Sequence, residues 1–391
     1  MTECLLTLNA GSSSIKFAVY EPDQEPRELA RGQVENLGAA ARLVLSASDG
    51  VKEEHELGKT DHSAALQAIL SRARERFGDW TVCGVGHRIA HGGTDFVEPR
   101  ELDTDTLDKL RALEPLAPLH QPHNLAAVAA AQQVFPNALQ VGCFDTAFHR
   151  DHPWVNDTFA LPRRYFDQGV RRYGFHGLSY DYVTGALRSI APSVAEGRVV
   201  IAHLGNGASM CAIQGGKSIA STMGFSALDG LPMGTRCGQL DPGVMLYLLD
   251  SEKLSSAEIA TLLYQESGLK GLSGLTHDMR SLEASDLPEA RQAIDYFVFR
   301  IRREIGASCA VLGGLDALVF CGGIGENSPY VRARTCENMD WIGLSIDAQR
   351  NAKNALNVSA GPVPILVVPT DEERVIARAI VQLLGHAPQL A

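Results

Sequence analysis

Three short glycine-rich loops, each following an apolar run, are the segments of this sequence best suited to bind a phosphate. They are residues 11–14, 205–209 and 322–327. Loops of this kind point backbone N–H groups into one concavity, which binds anions. One such turn is more often a plain hairpin, but three are harder to dismiss. The polar residues beside them are Asn9, Lys16, His203 and Asn206.

The commoner phosphate motifs are absent. Gly216-Lys217-Ser218 resembles the end of a P-loop, but Cys211 stands where that motif needs its first glycine. Gly323 and Gly325 do not begin a G-x-G-x-x-G motif, because Ser328 occupies its last position. The sequence therefore favours neither a P-loop NTPase nor a Rossmann dehydrogenase.

Two arginines lie in glycine-rich surroundings. Arg88 comes at the end of an apolar run and is followed by His91 and two glycines, and Arg236 lies in the loop 232–238. A guanidinium in such a place could bind a carboxylate or a phosphate with two parallel hydrogen bonds. A solvated surface arginine is the alternative for each of them.

The remaining candidates are histidines and one aspartate. His120 and His123 have H-x-x-H spacing, but Pro122 lies between them and no cysteine or glutamate follows at ligand spacing, so a zinc site is not expected. His176 lies in a loop with two glycines. Asp145 closes an apolar strand, where open α/β sheets place their sites, although it could instead cap a helix.

Composition excludes several classes of protein. The 391 residues carry a net charge of −11, so neither nucleic acid nor an anionic membrane is an expected partner. No apolar run reaches the roughly 18 residues of a membrane span, and the first residues lack the basic start of a secretory signal. The eight cysteines form no C-x-x-C pair. A reducing compartment, the cytoplasm, is therefore expected.

The elements that would position these residues suggest a duplication. Residues 5–19 and 199–213 both read as an apolar strand, a small-residue turn of the same length and a second strand. Asn9 in the first and His203 in the second occupy the same place. Strands and helices alternate along the chain, which favours an α/β fold. Since one core rarely exceeds about 300 residues, two domains with a cleft between them are expected, with a boundary in 149–169.

The sequence resembles the acetate kinase family at nine segments that occur in family order and span nearly the whole chain. They are residues 9–16, 87–93, 118–120, 144–149, 172–179, 203–207, 233–238, 322–327 and 369–373. The resemblance implies the fold of the acetate and sugar kinase, Hsp70 and actin superfamily. That fold has two duplicated actin-like (ribonuclease H-like) α/β domains, each with a five-stranded mixed sheet, around a nucleotide cleft. The implied limits are 1–149 with 374–391, on the acetate side, and 150–373, which binds nucleotide.

The resemblance also implies roles for individual residues. The catalytic residues would be Arg88, Asp145, His176 and Arg236. Acetate would be bound by Arg88, Ala90, Leu119, His120, Phe175 and Ala227. Mg²⁺, with Mn²⁺ as an alternative, would be held by Asn9 and Glu372. ATP or ADP would be bound by Ser12, Ser14, Lys16, His203, Leu204, Gly205, Asn206, Gly207, Asp278, Met279, Arg280, Gly323, Ile324, Gly325, Glu326 and Asn327. A homodimer is implied as well.

Three matched positions depart from the family's pattern. Ala90 and Ala227 stand where the family usually has Val and Pro in the acetate methyl pocket. Both changes remove volume, so propionate is expected to be a better substrate than usual. Asp371 replaces the usual Asn before Glu372, and the added negative charge is expected to tighten Mg²⁺ binding.

Asp145 matches the family's catalytic acid, yet acetate has no proton to lose at pH 7 because carboxyl pKa values lie near 4. We therefore expect Asp145 to orient Arg88 or metal-bound water, and its replacement by Asn to impair turnover or metal use at all pH values.

Other functions stay open. A propionate kinase would use the same mechanism, and a butyrate kinase is less expected because its segments differ more. A sugar kinase of the same superfamily would need an aspartate to deprotonate a hydroxyl. A non-catalytic nucleotide-binding switch would hydrolyse ATP slowly and form no acyl phosphate, but it gives no reason for Arg88, Arg236 and His176 to occur together.

Overall fold

In a computed structural model the chain divides into two compact units. Unit 1 consists of Met1–Ala147 with Asp371–Ala391, and unit 2 of Phe148–Thr370. The structure describes residues 2–11, 14–77, 80–118 and 120–386. The two unit limits, after 147 and after 370, differ slightly from the domain limits expected above.

Helices and strands alternate in both units. The strands are β1 (Thr2–Ala10), β2 (Ile15–Glu21), β3 (Arg27–Glu35), β4 (Ala41–Ala47), β5 (Lys52–Gly58), β6 (Trp80–Ile89), β7 (Arg100–Glu101), β8 (Leu139–Phe144), β9 (Arg198–Leu204), β10 (Ala208–Gln214), β11 (Lys217–Ser221), β12 (Ala317–Cys321) and β13 (Ile365–Val367). The α-helices are α1 (His62–Phe77), α2 (Thr104–Arg111), α3 (Gln121–Val134), α4 (Trp154–Asp157), α5 (Arg164–Asp167), α6 (Gly177–Ile190), α7 (Pro192–Ala195), α8 (Pro242–Asp250), α9 (Ser256–Gln265), α10 (Gly268–Ser273), α11 (Met279–Glu283), α12 (Pro288–Leu312), α13 (Gly322–Asn327), α14 (Pro329–Cys336), α15 (Ala348–Ala352) and α16 (Glu372–His386). Short 3₁₀ turns cover Glu114–Leu116, Ala147–His149 and Asp340–Ile342.

The sheet of unit 1 has the strand order β5-β4-β3-β2-β1-β6-β8-β7. Strands β1 to β3 are antiparallel neighbours, whereas β1, β6 and β8 run parallel. The sheet of unit 2 has the order β11-β10-β9-β12-β13. Its β9, β10 and β11 are antiparallel neighbours, and β9, β12 and β13 run parallel.

The two sheets therefore share one topology, with β3-β2-β1-β6-β8 of unit 1 equivalent to β11-β10-β9-β12-β13 of unit 2. The predicted α/β class with two mixed sheets is confirmed. Five strands were expected in each sheet, and unit 1 has eight. The difference arises because an antiparallel hairpin, β4 with β5, and the short β7 extend the shared five strands at both edges.

The predicted equality of the two turns is wrong by one residue. In unit 1 the last paired residues are Ala10 and Ile15, which leaves four residues in the turn. In unit 2 they are Leu204 and Ala208, which leaves three. Lys16 consequently lies opposite Asn9, whereas Ser209 lies opposite His203.

Each sheet carries its own apolar core. In unit 1, α16 packs on β1, β6 and β8. Two glycines of β6 make room for it, since a methyl group at Gly84 would lie 2.3 Å from Cγ2 of Ile380 and one at Gly86 would lie 2.2 Å from Cγ2 of Ile376. In unit 2, the long helix α12 packs on β9 and β10. None of the helices in the described ranges combines the length and apolar character needed to cross a bilayer.

Candidate functional site

Three polar side chains of unit 1 meet around the guanidinium of Arg88. Arg88, near the end of β6, donates from Nε and Nη2 to the two carboxylate oxygens of Asp145, at 3.1 and 2.5 Å, and from Nη1 to Oδ1 of Asn9 at 3.1 Å. Oε2 of Glu372 lies 3.6 Å from Nε. We call these four residues the Arg88 cluster. They meet because β1, β6 and β8 are adjacent and parallel, so that all three end at one edge of the sheet, while α16 brings Glu372 there.

The cluster is largely withdrawn from water. Asp145 is 1% exposed. Burial raises its pKa to about 6, with the Arg88 guanidinium opposing the rise and the charge of Glu372 adding to it. Burial lowers the pKa of Arg88, but the carboxylates of Asp145 and Glu372 outweigh this and raise the pKa above its ordinary value. Asp145 thus binds Arg88 with both oxygens and does not cap a helix.

The oxygens of the Arg88 cluster suit a hard cation. Among the described residues, no three His, Cys, Asp or Glu side chains are grouped so as to hold a metal by themselves. The amide oxygen of Asn9 and the carboxylate of Glu372 both lie beside Arg88. Oxygen-only donors, few in number, fit Mg²⁺, which keeps several of its waters.

Side chains that sequence reasoning missed hold the loop after β6. Asn124 accepts from Ala90 N at 3.0 Å and donates to Ala10 O at 2.7 Å, which joins the ends of β6 and β1. Gln121 accepts from His91 N and donates to His91 O. The available signal was their spacing, since these two polar residues are one helical turn apart on a face of α3 that is otherwise Ala, Val and Leu.

The other residues expected in unit 1 are placed as follows. Lys16 is exposed and lies opposite Asn9 in the β1–β2 pair. Its charge partly offsets the rise that burial causes in the pKa of Glu373. The Ser14 carbonyl accepts from Gly11 N at 2.8 Å, and His120 is the N-cap of α3. Ser12 and Leu119 lie outside the described residues.

Three loops of unit 2 converge. A methyl group at Gly234 would lie 2.2 Å from Oδ1 of Asn206, and one at Gly322 would lie 2.8 Å from the carbonyl oxygen of Leu204. Gly234 N also donates to Asn206 O at 3.0 Å. We call residues 205–207, 233–236 and 322–323 the glycine-loop cluster. This packing requires glycine at 234 and 322, because a Cβ there would clash with the Asn206 side chain or the Leu204 backbone.

His176 faces the glycine-loop cluster. It precedes α6 with φ 58°, in the left-handed region. Its ring stacks on that of His203, with centroids 4.3 Å apart. Its Nδ1 lies 2.8 Å from Oγ of Ser209, and Oγ of Ser209 lies 2.5 Å from the hydroxyl of Tyr180. Nε2 is on the opposite edge of the ring, 2.9 Å from where a Cβ at position 207 would stand.

The backbone before His176 is held by a buried histidine. Nε2 of His149 lies 3.0 Å from Phe175 O, and its Nδ1 lies 2.8 Å from Oγ of Ser218. Ser218 also contacts Nε2 of His152 at 2.6 Å. Burial lowers the pKa of both histidines, so both are neutral at pH 7 and the His149 ring donates to the Phe175 carbonyl.

Arg236 lies beside one residue expected to bind the acid, Ala227. Its Nη1 donates to Ala227 O at 3.3 Å and lies 3.7 Å from the sulfur of Met233. Ala227 packs against the unit 2 core, to which Phe175 also belongs. Ala90 lies in unit 1, and Ala227 and Phe175 lie in unit 2.

Residues 322–327 were expected to form a loop but form the short helix α13. Polar and charged side chains hold this helix in place. Oε1 of Glu326 accepts from Gly322 N at 2.8 Å and from Thr370 N at 3.1 Å, and Asn327 donates to Gly323 O. Arg332 is fully buried and donates to Gly325 O, to Glu326 O, and to Asn351 and Asn354. Glu326 and Asn327 therefore stabilise α13 itself.

The remaining expected nucleotide residues differ in exposure. Asp278 caps α11, and Arg280 pairs with it at 3.2 Å while its side chain is 90% exposed. The side chains of Leu204 and Met279 belong to the apolar core and Ile324 packs against it, so Leu204 and Met279 offer a ligand only their backbone.

Residues 4–378 match the model of the acetokinase family. The chain belongs to the acetokinase family. It is 55% identical to an acetate kinase of Methylocella silvestris, over 99% of each sequence. Among solved structures it is similar to an acetate kinase of Porphyromonas gingivalis, with 37% identity, a TM-score of 0.88 and 98% and 100% of the two chains covered. It is also similar to a propionate kinase of Francisella tularensis, with 34% identity, a TM-score of 0.91 and 96% and 98% covered. The predicted family is confirmed over nearly the whole chain.

Proposed function

We propose that this chain transfers the γ-phosphoryl group of ATP directly and in line to acetate, and back, forming acetyl phosphate and ADP. The observation that carries the proposal is the donor count at Arg88. A guanidinium has five N–H groups. Asp145 and Asn9 accept from three of them, and no described residue is a hydrogen-bond partner of the other two. Two parallel N–H groups are what a planar carboxylate needs.

The proposed reaction uses charge and position without a base. Acetate is ionised at pH 7, so the nucleophile is ready as bound. Arg236 and the Nε2 edge of His176 stabilise the negative charge of the transferring group, and the glycine-loop cluster binds the phosphates of ATP. Lys16 and the segment 278–280 complete the nucleotide contacts. Asn9 and Glu372 would hold Mg²⁺, which neutralises phosphate charge when bound.

The test is acyl phosphate formation trapped with hydroxylamine, with acetate, propionate and butyrate in parallel. Hydroxamate that is formed fastest with acetate would support the proposal. ATP binding without hydroxamate from any acid would instead favour the nucleotide-binding switch, and phosphorylation of a sugar hydroxyl would favour a sugar kinase. Omitting Mg²⁺ should abolish hydroxamate formation and adding Mn²⁺ should restore it in part.

We expect Asp145→Asn to lower kcat/KM for acetate roughly 100-fold, because Asn accepts only one hydrogen bond from Arg88 and leaves it misaligned. Since acetate is fully ionised from pH 7 to 9, the loss should be the same throughout this range and should include a higher KM for acetate. Steady-state kinetics of the variant and of the exposed Asp105→Asn control would check this. A loss confined to kcat that grows with pH would indicate a base.

A propionate preference is the second candidate, favoured by the small side chains of Ala90 and Ala227. We expect Ala90→Val to lower the propionate-to-acetate ratio of kcat/KM about tenfold, because one methylene in a fitted pocket is worth about 1–3 kcal/mol. The same ratio would be measured for the surface variant Ala64→Val, which should match the unaltered protein. An unchanged ratio in Ala90→Val would place the methyl pocket elsewhere.

We also propose a homodimer that forms through α8. This helix carries Val244, Leu246, Tyr247 and Leu249 exposed and has no buried residue. An apolar surface of this kind is typical of an interface. We expect Leu246→Glu to yield monomers in sedimentation experiments, whereas Val155→Glu, at a 76% exposed apolar residue outside α8, should not. A dimer that persists in Leu246→Glu would exclude α8.

We propose the cytoplasm as the location, because all eight cysteines are free and a reducing compartment keeps them so.

A further inference from the structure

The ring of His176 is anchored through two buried hydroxyl groups. Its Nδ1 contacts Oγ of Ser209 at 2.8 Å, and the same oxygen contacts the hydroxyl of Tyr180 at 2.5 Å. Both Ser209 and Tyr180 are 0% exposed. Because the three polar groups lie in a row and the two hydroxyls are buried, the hydrogen positions along the row are linked.

Tyr180 determines which groups donate and which accept the hydrogen bonds along this row. Burial raises its pKa well above the ordinary value, so the phenol keeps its proton. Among the described residues, the only hydrogen-bond partner of this hydroxyl is Ser209. Leaving a buried donor unpaired is unfavourable, so Tyr180 donates to Ser209. Oγ of Ser209 then turns its own hydrogen toward Nδ1 of His176.

A neutral imidazole that accepts at Nδ1 carries its proton on Nε2. Nε2 is the edge of the ring that faces residue 207 of the glycine-loop cluster, 2.9 Å from the place of a Cβ there. The ring orientation is fixed further by stacking on His203. An N–H group therefore points toward the loop that we propose to bind phosphate.

We propose that Ser209 and Tyr180 are positioning residues that hold His176 as the neutral Nε2–H tautomer, so that His176 donates a hydrogen bond to the transferring phosphoryl group without being charged. The inference rests on the proposed function for the identity of the acceptor. The tautomer itself follows from the hydrogen-bond row alone.

The test is the ¹⁵N spectrum of the histidine rings in the full-length protein, without nucleotide or acid, at pH 8.5, where an ordinary imidazole is neutral. His176 would be assigned by comparison with His176→Gln. We expect the Nε2-protonated pattern in the unaltered protein. We expect a mixture of tautomers in Ser209→Ala, which removes the donor to Nδ1, and in Tyr180→Phe, which frees the Ser209 hydroxyl to rotate.

Matched controls are available, because other buried hydroxyls among the described residues have no hydrogen-bond partner, including those of Ser221 and Tyr20. Ser221→Ala and Tyr20→Phe remove those hydroxyls and should leave the His176 pattern unchanged. We expect kcat to fall about tenfold in Ser209→Ala, with less change in the KM for acetate, and to remain within about twofold in both controls.

An Nδ1-protonated ring in the unaltered protein would overturn the proposal, as would a single unchanged tautomer in Ser209→Ala. An altered tautomer with unaltered kcat would overturn the positioning role. Since the spectrum needs no substrate, the expected tautomers together with no acyl phosphate from the unaltered protein would instead overturn the proposed function alone.

Discussion

Replacing Arg88 with lysine is expected to lower kcat/KM for acetate about 1,000-fold while ATP binding stays within about twofold. A lysine keeps the charge but cannot donate to Asp145 and Asn9 and still offer two parallel N–H groups to a carboxylate. The loss of one transition-state donor alone costs about 100- to 1,000-fold. Initial rates over a range of acetate concentrations and calorimetric titration with ATP would measure the two effects.

Arg31→Lys is the control for this experiment. Arg31 also lies on a strand of unit 1 and pairs with Glu28, but its side chain is 54% exposed. We expect its kinetics to match those of the unaltered protein. An Arg88→Lys variant with an unchanged KM for acetate would contradict the assignment of the acid site to Arg88.

Replacing Arg332 with methionine is expected to destabilise unit 2 and weaken ATP binding together. Arg332 is buried, and no carboxylate lies within salt-bridge distance of it in the described part of the chain. It donates to five oxygens instead. Leaving buried acceptors unpaired costs about 1–3 kcal/mol for each well-buried group. We expect the free energy of unfolding to fall by about 3 kcal/mol. For a unit of this size, this lowers the midpoint of thermal unfolding by roughly 6–12 °C.

Scanning calorimetry with and without ATP would test this, because two of the five oxygens belong to residues 325 and 326 of α13, which we propose to bind nucleotide. Arg334→Met is the matched control on the same helix. Arg334 pairs with Asp295 at 2.8 Å and is 33% exposed, so its loss should cost less than about 1 kcal/mol. Equal losses of stability and of ATP binding in the two variants would show that burial gives Arg332 no special role.

Much of the fold was predictable because its signals are local. The repeated strand, turn and strand predicted two related sheets, and the structure gives both sheets one topology. A Gly-Gly pair is typical of a tight hairpin turn, and Gly215 and Gly216, both with positive φ, form the turn between β10 and β11. The extra strands at the edges of the first sheet were not foreseeable as part of one sheet, because strand order depends on pairing between segments distant in sequence.

The candidate site was predictable at the residues that carry charge and not at those that hold them in place. Arg88 and Asp145 stand out as charged residues at the ends of strands. Ser209 and Tyr180 do not, because a serine in a strand and a tyrosine in a helix have many ordinary uses. Their contact joins residues 29 positions apart, and only the packing of α6 beside β10 brings them together.

The position of α16 at the end of the chain sets the order in which the two units can complete their folding. Unit 2 ends at residue 370, before α16 begins, so all of its residues leave the ribosome ahead of that helix. Unit 1 begins first and finishes last, since Gly84 and Gly86 stay uncovered until Ile376 and Ile380 have been made. The same late helix delivers Glu372. A product truncated before α16 would thus retain every residue of unit 2. It would lack the apolar side chains that cover the first sheet and the carboxylate of Glu372 beside Arg88.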